Sequence, residues 1–136
     1  MQETENKLST MPNGSLITRT IAMPADTNAN MDIFGGWIMS QMDIASGIIA
    51  KNTAKSRVAT VAVDSMTFHK PVHVADTVAC YGELLKVGNT SMKIKIEVWC
   101  QRDMNEEQFL VTEAIFTYVA INTEGKPIPV NRETSC

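Results

Sequence analysis

The chain is poor in the features that would give its function away from composition. Its cysteines number 3, an odd count with no C-x-x-C pair, so neither a disulfide framework nor a zinc ribbon can be read from them. Cys80 and Cys100 lie in apolar, strand-like runs and Cys136 is terminal, the pattern of reduced thiols in a cytosolic protein. Positive charge is also short, with a net charge of −3 and a pI near 5.3, which argues against a nucleic-acid footprint. No apolar run approaches the roughly 18 residues that a membrane span requires. The first ten positions carry Glu3, Glu5 and Lys7 without an apolar core, so no secretory signal is expected and the expected compartment is the cytoplasm.

Familiar catalytic signatures are missing too. There is no G-x-S-x-G, so a nucleophile-elbow serine is not indicated. There is no G-x-G-x-x-G, P-loop or H-E-x-x-H. His69 and His73 are separated by Pro71, which forbids the helix that would put both on one face. They are expected at a strand end or loop, and no metal or resident cofactor is expected. The 9 methionines are most simply core filler.

What remains is a chain of 136 residues, at about 100–200 residues per domain one domain over 1–136. Residues 1–14 read as a polar lead-in ending at a Pro12-Asn13-Gly14 turn, and 123–136 as a loose tail, flexible over 130–136. Ser91 to Gln101 alternates strictly: Met92, Ile94, Ile96, Val98 and Cys100 fall on one face, and Lys93, Lys95, Glu97, Trp99 and Gln101 on the other. Phe109 to Ile121 is rich in β-formers. Asp76 to Val87 joins Ser91 to Gln101 through a Val87-Gly88-Asn89-Thr90 hairpin turn. Arg57 to Phe68 and Ser15 to Ala22 read as further strands. Long strands following one helix predict an α+β fold, an antiparallel sheet packed on that helix.

The helix, predicted over Gly36 to Lys51, is unusual. Between Ile33 and Ala50 its one charged residue is Asp43, and the apolar side chains run all the way round. Such a helix is normally buried on all sides, which predicts that the sheet wraps it and that Asp43 lies inside. A carboxylate buried without a partner is costly. It is either a hydrogen-bonded structural Asp or a base held in an apolar cleft. The preceding loop holds Asp26, Asn28, Asn30 and Asp32, which shape turns through their own side chains. Gly35 and Gly36 follow and permit close approach to the backbone. The unpaired N–H groups of the helix start are a donor set for a developing oxyanion, and Asp43, about two turns on, is expected to act on a group held there. A carboxylate, an amide and backbone donors suit an activated electrophile such as a thioester.

The segments Met23–Asn30, Asp32–Asp43, Arg57–Val63, Phe68–Val72, Gly88–Met92 and Glu97–Trp99 closely resemble the YciA-type acyl-CoA thioesterases, over roughly Ile17 to Pro129. The resemblance implies a hotdog fold, with a long antiparallel β-sheet wrapped around one central α-helix. It also implies a trimer of dimers (a homohexamer) with active sites between subunits, and hydrolysis of acyl-CoA to free acid and CoA over a broad range of chains. Coenzyme A is then part of the substrate rather than a cofactor. Carried over by position, Asp43 is the catalytic carboxylate, as general base or as nucleophile. Asn28, from the facing subunit, orients the water or carbonyl, and the N–H of Gly36, with Gly35, holds the oxyanion. Val61, Ala62 and Val63 line the CoA path with Thr90, Ser91 and Met92, and Arg57 and Lys70 are candidates for the CoA phosphates. Where relatives carry Gly, this chain has Met31, a departure that matters if that position requires positive φ. Two other readings compete: a non-catalytic acyl-CoA sensor, and a hotdog hydratase or dehydratase, which adds a histidine to the carboxylate.

Overall fold

A computed structural model describes residues 11–102 and 107–130. Most of the lead-in (1–10), the end of the tail (131–136) and Cys136 lie outside the described residues. Five strands, β1 (Ser15–Ile21), β2 (Arg57–Phe68), β3 (Thr77–Val87), β4 (Ser91–Gln101) and β5 (Gln108–Ile121), accompany one helix, α1 (Gly35–Ala54). A short 3₁₀ turn at Pro24–Asp26 precedes α1. The strands form one antiparallel sheet in the order β1-β3-β4-β5-β2. This is the hotdog architecture that the resemblance implied.

Alternation decides which face meets the helix. On β4, Met92, Ile94, Ile96, Val98 and Cys100 are fully buried. On β5 the inward row is Ala114, Phe116, Tyr118 and Ala120, and these pack in one core with Ile38, Met42, Ala45, Ala50 and Ala54 of α1. Each fully buried side chain of the Met or Ile type stabilises by about 1.5–3 kcal/mol relative to exposure. At Gly82 of β3 a Cβ would stand 2.6 Å from Ile49 Cδ1 and 3.0 Å from Ile96 Cδ1. Glycine there is what lets α1 lie close to the sheet.

Three expectations need correction. The helix runs three residues past Lys51, because Lys55 takes a left-handed cap (φ 57°) and returns its N–H to the Lys51 carbonyl at 2.9 Å. The sheet does not wrap the helix completely. Met39, Ile44 and Ile48 are 40%, 55% and 42% exposed, since one sheet can cover only one side of a cylinder. The tail is not loose as far as residue 130: Ile128 donates to Ala120, Val130 donates to the Asn89 carbonyl, and the Val130 side chain is buried in the core.

At the far edge, β2 pairs only with β5 among the described strands, and most of it is exposed. Its pairing slips twice. Val61 is left over between Thr60 and Ala62, and a second irregularity lies between Asp64 and Thr67, where Ser65 has φ 59°. Such bulges re-aim side chains and recur beside active sites.

Candidate active site

Asp43 sits mid-helix on the side that faces β5 and β2. It is half-buried rather than enclosed, because the wrapping expected of the sheet stops short. Its carboxylate has found donors. Thr60 Oγ1 of β2 donates to Oδ1 at 2.7 Å, and the Tyr118 hydroxyl of β5 is hydrogen-bonded to the same oxygen. Tyr118 also reaches the main-chain carbonyl of Asp43 at 2.7 Å. Thr60 and Tyr118 are directly paired across the two strands, so sheet register brings both hydroxyls to one carboxylate. Burial pushes the Tyr118 hydroxyl well above its ordinary pKa, and the bond to Asp43 raises it further. The tyrosine therefore keeps its proton throughout the neutral range. One turn further on, Ser46 is fully buried, and its Oγ has no hydrogen-bond partner among the described residues.

The loop before α1 is built by Asn28. Its Oδ1 accepts from the N–H of Asn30 at 2.9 Å and of Asp32 at 3.2 Å, and its own N–H donates to the Asp32 carbonyl at 2.7 Å. With Oδ1 committed to the loop, a contact from Asn28 to substrate would run through its amide nitrogen. Met31 has φ 68°, the left-handed backbone that glycine tolerates and Met adopts at a cost. Phe34 caps α1 without a side-chain hydrogen bond, so no side chain of the cap competes for the first N–H groups, those of Gly35 and Gly36. Asn28, Asp32, Gly35, Phe68 and Lys70 share a cavity of about 400 Å³ at this end of the helix.

The helix start and Asp43 are not adjacent. Gly36 and Asp43 are seven residues apart, about 10 Å along the axis at 1.5 Å per residue. A single thioester carbon cannot touch both within one chain, contrary to the expectation of direct action.

The residues expected along the CoA path divide. Val61 and Val63 are 56% and 36% exposed and Ala62 is also exposed. Thr90 and Ser91 are half-buried at the β3–β4 turn. Tyr118 is in register with Thr60 on one side and Met92 on the other, so the two segments stand about 10 Å apart across β5. The Met92 side chain is fully buried in the core, which leaves only its backbone for such a role. Arg57 and Lys70 do not converge. Arg57 opens β2 and donates to the Thr123 carbonyl at 3.3 Å, whereas Lys70 follows the strand's far end and lies 5.5 Å from the Phe109 ring centroid. The strand alone separates them by roughly 36 Å.

The histidines stand at the strand end and loop, as expected. His69 is 3.7 Å from Glu113 and His73 3.5 Å from Asp32. Among the described residues no group of His, Cys, Asp and Glu could hold a metal ion. No helix among them is long and apolar enough to cross a membrane.

Comparison with known proteins agrees with this fold. The thioesterase superfamily model matches residues 30–107. The acyl-CoA thioester hydrolase YciA of Escherichia coli (strain K12) is 54% identical over 120 residues, 86% of this chain and 91% of that protein. A hexameric thioesterase from Yersinia pestis is 55% identical with a TM-score of 0.85, covering 90% of this chain and 99% of that one. A hexameric hotdog fold thioesterase of Campylobacter jejuni is 38% identical with a TM-score of 0.83, covering 90% of this chain and 94% of that one. The chain is a hotdog-fold member of the thioesterase superfamily, and within it belongs to the YciA-type acyl-CoA thioester hydrolases.

Proposed function

We propose that this protein hydrolyses acyl-CoA to a free carboxylic acid and CoA, with Asp43 as general base, in a site completed by a second copy of the chain. The observation that carries the reading is the Asp43 carboxylate, held half-buried in mid-helix by the two neutral hydroxyls of Thr60 and Tyr118. Hydroxyls orient a carboxylate without cancelling its charge. Water attacks the thioester carbonyl carbon, and Asp43 accepts the water proton. The negative charge that develops on the carbonyl oxygen is met by helix N-terminal N–H groups, those of Gly36 and Gly35. The tetrahedral intermediate collapses with cleavage of the C–S bond, and the proton held on Asp43 passes to the departing CoA thiolate.

The 10 Å step between Gly36 and Asp43 is the reason for the second copy. A partner's helix start and Asn28 would complete what one chain leaves apart. The apolar exposure of Met39, Ile44 and Ile48 on α1, and the open edge of β2, support assembly through those surfaces. A homo-oligomer agrees with the hexamers of the Yersinia pestis and Campylobacter jejuni enzymes. Val61–Val63 and Thr90–Met92 would carry the pantetheine arm. The separation of Arg57 and Lys70 means that within one subunit at most one of them meets the CoA phosphates. The cytoplasm is the compartment in which this chemistry would operate.

The test is release of free thiol from a panel of acyl-CoAs, short to long, by the wild type and by Asp43→Asn. The expected result is turnover that falls by about 10²–10⁴-fold in the variant, with assembly retained. Absence of turnover on every chain, with CoA esters still bound, would favour the sensor reading instead. The hydratase reading lacks support from His69 and His73, which face Glu113 and Asp32 rather than Asp43.

A further inference from the structure

The polar groups at Asp43 include more than a base needs in order to be buried. The Tyr118 hydroxyl carries one proton and is hydrogen-bonded to Asp43 Oδ1 and to the Asp43 main-chain carbonyl at 2.7 Å, with the Thr60 and Ser46 hydroxyls also beside it. A mid-helix carbonyl already has its N–H partner four residues on, so the second contact is not required for helix stability. The Tyr118 ring is held firmly. It is 2% exposed, lies in the inward row of β5, and stacks on Phe116 with ring centroids 6.4 Å apart. A rigid ring leaves rotation of the hydroxyl hydrogen as the remaining freedom.

We propose that Tyr118 is a positioning residue of the reaction, a two-position hydroxyl that serves Asp43 in both of its protonation states. With Asp43 ionised, the Tyr118 proton points to Oδ1 and, with the Thr60 proton, fixes the carboxylate rotamer. When Asp43 takes the proton from water on Oδ2, Oδ1 becomes the weaker-accepting carbonyl oxygen of the acid, and the tyrosine hydrogen turns to the main-chain carbonyl while Thr60 keeps its bond to Oδ1. No proton leaves Tyr118, and the O–H bond that breaks is that of the attacking water. The carboxyl keeps its orientation through proton uptake and release, and the Tyr118 hydroxyl keeps an acceptor in both states. The pKa direction of Tyr118, upward through burial, agrees with a hydroxyl that turns rather than ionises. Thr60 is the accessory donor, supplied by the bulged strand from outside the core.

This inference rests on Asp43 acting as the base, and the test separates the two. In thiol-release assays, Tyr118→Phe keeps the ring and deletes the rotor. It is expected to lower kcat by about 10–100-fold, the loss of one hydrogen bond to a charged group, with KM within about twofold. Thr60→Val is expected to lower kcat less, and Thr60→Ser to restore it. A Tyr118→Phe enzyme with wild-type kcat, beside an inactive Asp43→Asn, would overturn the role of Tyr118 while leaving the base in place. An active Asp43→Asn would overturn the base itself. A kcat loss accompanied by an equal fall in melting temperature and a rise in KM would reduce Tyr118 to a structural residue. Where Tyr118→Phe does not fold, the Thr60 pair decides: Val and Ser variants equal to each other would overturn the positioning account.

Discussion

Two carboxylates on opposite faces of one sheet differ in what holds them, and the difference sets a structural acid apart from the proposed base. Glu97, on the outer face of β4, is 3% exposed and fully engaged. It accepts from the Asn13 N–H at 3.1 Å, the Asn13 amide at 2.9 Å and the Trp99 indole at 2.8 Å, and Lys95 stands 3.7 Å away. Burial pushes its pKa up, but the Asn13 and Trp99 donors and the Lys95 charge outweigh that and leave it below the ordinary value. Asp43, on the helix side, is more accessible and is held by hydroxyls alone in the contacts described above. Glu97 has both donors and a counter-charge, so it is satisfied and inert. Asp43 has orientation without compensation, beside an open, bulged strand. Depth of burial therefore does not single out Asp43 as the proposed base; the nature of its partners does. Asp76 belongs with Glu97: it is 1% exposed and bound bidentately by Arg102 at 3.0 and 2.9 Å.

The contrast can be broken or sharpened by substitution. The largest expected effect falls on turnover, where Asp43→Asn removes the proposed base and leaves a side chain of the same shape. Next in size, Glu97→Gln is expected to destabilise by about 1–3 kcal/mol, because buried donors lose a charged acceptor. Its kcat should stay at the wild-type level, read by thiol release beside a denaturant melt. Acid titration sharpens the same point. A carboxylate depressed on folding contributes stability above its unfolded pKa, about 4.3 for Glu, and loses it as pH falls through its folded value. The wild type should therefore lose melting temperature on acidification more steeply than Glu97→Gln, and parallel curves would contradict the assignment. The smallest effect is at Met31. Met31→Gly relieves the left-handed backbone at some cost in chain entropy, a net gain of roughly 0.5–1 kcal/mol by thermal melt.

The sequence made Asp43 conspicuous, as the one charge between Ile33 and Ala50, and the alternation of β4 located that strand to the residue. Tyr118 was harder to find. It lies 75 positions from Asp43 in the chain, and only the β2–β5 register puts it beside Thr60. Its signal was a tyrosine in the otherwise apolar inward row of β5, a row that composition alone does not align with the helix. The exposed face of α1 was misread for a related reason. An all-round apolar helix states that it will be covered, but not whether by its own sheet or by another molecule. Val130 was lost in the tail because the Gly125, Pro127 and Pro129 punctuation marks turns and does not show that a chain docks after turning. The Gly-to-Met departure at position 31 was legible, and the positive φ there is the strained conformation it raised.

The most direct test pairs the two faces in one experiment: kcat for thiol release and melting temperature, measured for Asp43→Asn and Glu97→Gln against the wild type. The account predicts a crossed result. Asp43→Asn should lose nearly all turnover and keep its melting temperature, while Glu97→Gln should keep turnover and melt earlier. Comparable turnover in the two variants would contradict it.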